Sequence, residues 1–142
     1  MYYVNQDQIN LRLEFIERLV EMIPDSIENQ KESPSVINGL AQERILHLAL
    51  ESVTDIGSYI IDGFLMRDAS SYEDIIEIIY GEKVFPPHLL EPLLSLVKMR
   101  KKLVQEYFNF DQSEIFPLLS QLPDILAEFS QSVKNYLKQE II

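Results

Sequence analysis

The chain has 142 residues, of which 46% are hydrophobic and 25% are charged, and this length and composition fit one folded domain over residues 1–142. It contains no cysteine and only two histidines, which excludes thiolate catalysis, zinc ribbons and iron–sulfur sites. The net charge of −11 disfavours general nucleic-acid binding unless the basic residues are concentrated in one place.

Apolar residues recur at spacings of three and four along most of the chain, and this periodicity predicts helices. The first helix is predicted to begin after Asn5, a favourable N-cap residue, and to end at Pro24. Residues 24–37 contain two prolines and many polar residues, which predicts an exposed loop.

A long second helix is predicted from Asn38 to Arg67. Its apolar residues cover most of the helix circumference, which is typical of a central helix that contacts neighbours on several sides. Gly57 and Gly63 lower its intrinsic stability and indicate places where another segment packs closely.

Three further helices complete the predicted fold. The sequence Ser71-Tyr72-Glu73-Asp74 has the form of a capping box and predicts a short helix that ends at Gly81. Residues 86–108 form the next predicted helix, with two prolines in its first turn. The last helix begins near Pro117 and is predicted to be interrupted or kinked at Pro123. Five helices with short connections predict an all-α fold, an antiparallel bundle.

Membrane and export signals are not visible in the sequence. No apolar run approaches the roughly 20 residues that a membrane span requires. The first ten residues lack the basic flank and the uninterrupted apolar stretch of a signal peptide. We therefore expect a cytoplasmic protein with no membrane partner.

The second predicted helix carries a polar stripe at three- and four-residue spacing. Three of its members, His47, Glu51 and Asp55, have side chains that could hold a divalent metal from one helix face. A partly solvated seam with polar pairing is the simpler interpretation. His88, which follows two prolines, is predicted to lie at the surface. The polar stripe consists of Arg44, His47, Glu51, Asp55, Ser58 and Asp62.

A basic cluster lies near the end of the fourth predicted helix. It places four of the twelve basic residues of the chain within five positions: Lys98, Arg100, Lys101 and Lys102. Such a cluster is either a solvated helix face or a place where an otherwise acidic protein binds phosphate.

The segment from Met99 to Asp111 resembles the signature of the HepT-like ribonucleases, a branch of the HEPN superfamily of small helical bundles. In that signature an Arg is followed after four residues by a His, then by one residue and a Tyr. Leu-Val before the His and an Asp a few residues later are common. Four parts of this sequence match in register: Arg100, Leu103-Val104, Tyr107 and Asp111.

The resemblance extends over nearly the whole chain. Its middle part matches the family at similar separations in four short segments: Ile61-Asp62-Gly63-Phe64, Arg67-Asp68, Ser71-Tyr72 and Gly81-Glu82-Lys83-Val84. The resemblance implies a HEPN-like bundle that forms a homodimer and cleaves RNA at a cleft between the two protomers, without metal and without a cofactor.

One departure concerns catalysis, because the position of the family His is occupied by Gln105. In the family the Arg binds phosphate and the His moves protons, so Arg100 and Gln105 are the residues at the catalytic positions. Glutamine cannot exchange a proton, and loss of general acid–base catalysis typically costs about 100- to 10,000-fold in rate. The sequence therefore predicts a weak or inactive ribonuclease that retains a phosphate-binding Arg100. Lys98, Lys101 and Lys102 are predicted to assist RNA binding.

The resemblance also implies a partner. HepT-like proteins are typically paired with a nucleotidyltransferase of the MntA type, which silences the ribonuclease by attaching AMP to the motif tyrosine. Tyr107 occupies that position, so a toxin–antitoxin type system is predicted, with Tyr107 as the modification site. Two alternatives remain: an active metal-independent ribonuclease around Arg100, and a metal-binding bundle that uses the polar stripe.

Regular helix geometry adds one expectation. Positions 100 and 105 lie about 140° apart on an α-helix, whereas positions 100 and 107 nearly coincide, which favours a site completed by a second chain. Structural roles are also open for each motif residue. Arg100 is a candidate for a salt bridge with Glu51 or Asp55, Tyr107 for core packing, and Gln105 for a plain surface position.

Overall fold

A computed structural model describes residues 2–141 of the chain, and within that range it contains five α-helices and no strand. The predicted all-α bundle is therefore confirmed. The helices are α1 (Gln6–Glu32), α2 (Val36–Gly63), α3 (Tyr72–Gly81), α4 (Leu90–Arg100) and α5 (Ile115–Glu140). The shorter helical turns are a 3-10 turn at Pro87–Leu89, a π-helical turn at Lys101–Gln105, and 3-10 turns at Tyr107–Asn109 and Gln112–Glu114.

The helix α2 lies at the centre of the bundle and contacts the other four helices, as the sequence predicts. It runs antiparallel to α1, because Arg12 near the start of α1 pairs with Asp55 near the end of α2. At the other end of the pair, Gln42 donates a hydrogen bond to the carbonyl of Ser26. The core forms one continuous cluster of buried apolar side chains, as expected for a domain of this size.

The helix α1 does not end at Pro24 but continues for eight more residues to Glu32, so the predicted loop over residues 24–37 is wrong. Proline removes one backbone hydrogen bond of a helix and crowds the preceding turn. Here Ile23 is fully buried and Ile27 packs against the core, so burial of the continuing apolar face outweighs that cost. Only residues 33–35 remain outside helices at this point of the chain.

The N-caps of the first and third helices agree with the sequence. The side chain of Asn5 accepts a hydrogen bond from the backbone N–H of Gln8, and Ser71 caps α3 in the same way. The second helix begins at Val36, two residues before the predicted start, because Ser35 is its N-cap.

The second helix ends at Gly63 rather than at Arg67. Leu65 adopts a left-handed backbone conformation with φ of 57°, which turns the chain away from the helix axis. Gly57 and Gly63 of α2 are sites of close packing, as predicted. A Cβ atom on Gly57 would lie 2.5 Å from Cγ2 of Ile75, and one on Gly63 would lie 2.9 Å from the Cα of Val4.

Asp74 connects α3 to the loop that precedes it. Its carboxylate accepts two hydrogen bonds of 2.7 Å from the guanidinium of Arg67 and one of 2.9 Å from the backbone N–H of Ser70. These contacts, the Arg67 hydrogen bonds first, hold the pKa of Asp74 far below its usual range. The ion pair thereby fixes the chain reversal between α2 and α3.

The second half of the molecule differs from prediction in two places. The fourth α-helix ends at Arg100 instead of continuing to Phe108, because the chain changes there to a π-helical turn. The last helix is continuous across Pro123, so the predicted interruption is absent from that helix. None of the described helices has the length and apolar character needed to cross a membrane.

Candidate functional site

The segment that carries the motif is a π-helical turn. The backbone N–H of Glu106 donates to the carbonyl of Lys101 at 3.0 Å, a hydrogen bond between residues five apart. The angles expected for a regular α-helix are therefore wrong here, because the backbone hydrogen bond spans five positions instead of four and Tyr107 already belongs to the following 3-10 turn. Single π turns within helices often occur at functional sites, and this one follows Arg100 directly.

Arg100 is held by two neighbouring helices. Its Nε donates to Oε1 of Glu51 at 3.2 Å, and its guanidinium lies 4.2 Å from the ring centroid of Tyr72. The salt bridge expected from the sequence is thus formed with Glu51, while Asp55 pairs with Arg12 instead. Within residues 2–141 the two terminal guanidinium nitrogens have no hydrogen-bond partner, so they are open to bind a phosphate in bidentate fashion.

Glu51 also contacts a histidine. The same Oε1 atom lies 3.4 Å from Nε2 of His47, and Nδ1 of His47 lies 3.2 Å from Nη1 of Arg44. Half of the polar stripe therefore joins Arg100 in a chain of polar contacts that runs Arg44–His47–Glu51–Arg100. The side chains of His47, Glu51 and Arg100 are 26%, 30% and 32% exposed, so this polar chain is partly shielded but reachable from solvent.

The ligand set of the metal-binding alternative does not come together in the structure. Within the part of the chain that the structure describes, no three histidine or acidic side chains converge on a point that could hold an ion. Asp55 bonds to Arg12 at 3.1 Å, and Glu51 bonds to Arg100, so two members of the expected ligand set are used in ion pairs. His88 lies at the surface beside Glu128, as predicted.

The lysines of the basic cluster are less free than their number indicates. Lys101 forms an ion pair with Glu106 at 3.7 Å, and Lys102 forms one with Glu114 at 2.7 Å. Lys98 is exposed and has no acidic partner among residues 2–141. The positive field at the cluster is therefore weaker than four charges would give.

Tyr107 is exposed. Its side chain is 67% accessible and meets Phe108, which is 80% accessible, edge-on at a centroid distance of 5.8 Å. Core packing of Tyr107 is therefore wrong, and its ring presents the phenol to solvent on the turn after the π helix. Gln105 is also exposed and makes no side-chain hydrogen bond to the described residues, consistent with a surface position.

The motif aspartate has a local structural role. Asp111 accepts hydrogen bonds from the hydroxyl of Ser113 at 2.8 Å and from its backbone N–H at 3.0 Å. These bonds, the hydroxyl first, lower the pKa of the Asp111 carboxyl. Asp111 therefore fixes the turn that connects the motif to α5.

One feature of the site was not found by sequence reasoning, an exposed apolar rim at the start of α2 and of α5. The two starts are adjacent, because the side chain of Gln112 contacts Gly39 and donates a hydrogen bond to Glu43. Burial raises the pKa of the Glu43 carboxyl. The sequence did not indicate this rim, because Val36 and Ile37 lie in the predicted loop and Phe116 precedes the predicted start of the last helix. The rim consists of Val36, Ile37, Leu40 and Phe116.

Comparison with known proteins identifies the family. The family model described as "Ribonuclease HepT-like" matches residues 12–133. The protein belongs to the HepT-like ribonuclease family. The chain is 36% identical over 141 residues to "Putative RNase YutE" of Bacillus subtilis, covering 99% of this chain and 95% of the relative.

Solved structures agree with this assignment. The structure of YutE from Bacillus subtilis, described as a cytosolic protein of unknown function, superposes with a TM-score of 0.89 and 35% identity, covering 99% of this chain and 96% of that one. A toxin–antitoxin crystal structure with AMP-PNP gives a TM-score of 0.81 at 15% identity, covering 91% and 98%. A tri-AMPylated Shewanella oneidensis HEPN toxin in complex with its MNT antitoxin gives 0.80 at 16%, covering 91% and 98%. The last two similarities establish the HEPN fold.

Proposed function

We propose that this HepT-like protein is the toxin-side member of a toxin–antitoxin pair, and that a nucleotidyltransferase of the MntA type modifies it on Tyr107. The observation that carries the proposal is the exposure of Tyr107 one turn beyond Arg100. Two proteins of the same fold support it, since one is described as tri-AMPylated with its MNT antitoxin and the other as a toxin–antitoxin with AMP-PNP. A cytoplasmic location belongs to the same proposal, and a relative described as cytosolic supports it.

In this reaction the phenol oxygen of Tyr107 attacks the α-phosphorus of ATP. A new O–P bond forms, pyrophosphate leaves, and the phenol proton passes to solvent. The product carries AMP on the turn that follows the π-helical turn after Arg100, so negative charge and bulk are added near the proposed phosphate-binding surface. AMP on Tyr107 therefore excludes RNA.

The unmodified protein binds RNA through Arg100 and cleaves it slowly. Gln105 is exposed and can donate and accept hydrogen bonds, but its amide does not titrate. We expect the rate to lie about 100- to 10,000-fold below that of relatives with His at this position. Gln105→His should raise the rate by a factor of that order, measured on a labelled RNA. Brisk cleavage that survives Gln105→Ala would contradict a weak ribonuclease.

The apolar rim supports a homodimer. Val36, Ile37 and Phe116 are exposed apolar side chains, and contiguous exposed apolar surface commonly marks an interface. A second copy packed there would bury on the order of 1,200–2,000 Å² in total. Light scattering should give the mass of a dimer for the wild type and of a monomer for Ile37→Glu. A wild-type monomer at micromolar concentration would contradict the dimer.

The proposal is tested by the modification itself. The protein is incubated with the MntA-type enzyme and ATP, and its intact mass is measured. We expect mass increases of whole AMP units in the wild type and none at position 107 in Tyr107→Phe. Tyr3→Phe is the matched control, because Tyr3 is another exposed tyrosine outside the motif. An unmodified wild type, or a Tyr107→Phe variant labelled as fully as Tyr3→Phe, would contradict the proposal.

A further inference from the structure

His47 is connected to the motif arginine through a single carboxylate, that of Glu51. Both His47 and Arg100 contact one atom, Oε1 of Glu51, at 3.4 Å and 3.2 Å. The two residues are 53 positions apart in sequence and lie on different helices, so the bundle itself brings them together.

The contacts of His47 define its tautomer. A guanidinium can only donate, so Nδ1 of His47 accepts from Arg44 and the ring proton lies on Nε2, which is 3.4 Å from Oε1 of Glu51. An imidazole whose N–H is held by a carboxylate, with its other nitrogen unprotonated, is the arrangement of a general base. The carboxylate orients the ring and stabilises the cation that forms when the base accepts a proton.

We propose that His47 carries out the slow proton transfer that remains in this chain, whose position 105 has no titratable side chain. The inference rests on the proposed binding of RNA at Arg100. Glu51 joins Arg100 to His47, so a phosphodiester held by the terminal nitrogens of Arg100 lies one carboxylate away from the imidazole. Arg44 is exposed and covers Nδ1 in the free protein. Binding of a neighbouring phosphate by its guanidinium uncovers Nδ1.

The reaction is a transesterification of RNA. Nδ1 of His47 takes the proton of a ribose 2′-hydroxyl, and the 2′-oxygen forms a bond to the adjacent phosphorus. The bond from phosphorus to the 5′-oxygen breaks, and that oxygen takes a proton from water. The imidazolium then returns its proton to the remaining hydroxide. The products are a 2′,3′-cyclic phosphate and a 5′-hydroxyl, with no net gain or loss of protons.

The charges around His47 have opposite signs. Glu51 and Arg44 face it from its own helix, and Arg100 approaches from α4 through the shared carboxylate. Histidine changes its charge between pH 5 and 8. A base mechanism therefore predicts that the cleavage rate rises with pH across this range, and that the rise is absent without the imidazole.

The experiment measures cleavage and binding of one labelled RNA by the full-length protein and its variants. His47→Ala should slow cleavage by about 100-fold or more, remove its pH dependence and leave RNA affinity unchanged. His88→Ala is the matched control, because His88 is the other histidine of the chain and lies at the surface beside Glu128. His47→Gln, which keeps hydrogen bonding, should be as slow as His47→Ala and covers the case in which the alanine variant does not fold.

Glu51→Gln separates catalysis from binding. Without the carboxylate the ring loses its orienting partner and cleavage slows, yet Arg100 is released from its salt bridge and RNA affinity rises by up to about fivefold. A role of Glu51 in stability alone would lower both quantities together. Arg100→Ala is the background control, because it removes the phosphate-binding group and reveals any contaminating nuclease.

The outcomes keep the two proposals apart. Equal cleavage and equal pH profiles in His47→Ala and His88→Ala would overturn the role of His47, and so would a wild type that binds RNA without cleaving it. Either result leaves RNA binding and modification of Tyr107 intact. A wild type that binds no RNA even at low salt would instead overturn the proposed function. A 2′-deoxy substitution at the cleavage position should abolish the reaction, and cleavage there would refute the mechanism.

Discussion

Replacement of Arg100 by alanine is the perturbation whose effect the structure specifies best. Nε of Arg100 donates a hydrogen bond to Glu51, and the guanidinium stacks on the ring of Tyr72. The two terminal nitrogens are left to bind a phosphate. A hydrogen bond to a charged group contributes about 1.5–3 kcal/mol, and the partial exposure of Arg100 places a bidentate phosphate contact toward the lower end of this range. The expected loss of RNA affinity is therefore roughly 10- to 100-fold.

The salt dependence of RNA affinity gives a second, independent estimate of what Arg100 contributes. Each phosphate contact on a single strand contributes about 0.7 to the slope of log affinity against log salt. Arg100→Ala should lower the slope by about this amount. The Lys101→Ala/Lys102→Ala double variant should have a smaller effect on affinity than Arg100→Ala, because both lysines are already paired with acids.

Fluorescence anisotropy with a labelled single-stranded RNA at several salt concentrations measures both quantities. Arg18→Ala is the matched control, because Arg18 is an exposed arginine of α1 that lies over Phe15 of its own helix. Equal affinities and slopes for Arg100→Ala and Arg18→Ala would refute the reasoning. A larger loss in the double lysine variant would show that the lysines, and not the arginine, bind phosphate.

Three further predictions concern the frame that holds the site. Asp74→Asn should lower the thermal stability at pH 7. The difference from wild type should shrink below about pH 4, because the pKa of Asp74 is lowered and its carboxyl stabilises the fold only while it is ionised. A constant difference in thermal stability down to about pH 2 would contradict this. Gly57→Ala should reduce the free energy of unfolding by about 1–2 kcal/mol in urea titrations, since its methyl group meets Ile75; an unchanged or increased stability would refute the close contact. Lys83→Gly should raise that free energy by about 0.5–1 kcal/mol, because φ at this position is 63°, and a loss of stability would contradict the expected relief of strain.

The sequence correctly predicted those helix ends that depend only on residues close to them in the chain. The caps at Asn5 and Ser71 and the stop at Gly81 are set by hydrogen bonds within a few residues, so they are visible in the sequence. Pro24 failed as a stop signal because the burial of apolar residues on both sides of it is a property of the whole bundle. A rule for one residue contains no information on that burial.

The site was predictable only in part, for the same reason. The motif supplied Arg100 and Tyr107, and the stripe supplied His47 and Glu51. A salt bridge between the two sets was expected, but the sequence left open whether Glu51 or Asp55 would form it. The contact between Glu51 and Arg100 spans 49 positions and depends on how α2 and α4 pack. The π turn has no sequence signal in the helical pattern, so the relative directions of the motif residues could not be derived from regular helix geometry.

We propose that Arg100 binds RNA on a surface that AMP on Tyr107 blocks. The most direct test compares the RNA affinity of the unmodified protein with that of the protein carrying AMP on Tyr107, under identical low-salt conditions. We expect modification to lower the RNA affinity at least as far as Arg100→Ala does, because AMP adds negative charge and bulk at the same surface. Equal affinity of the modified and unmodified proteins would contradict it.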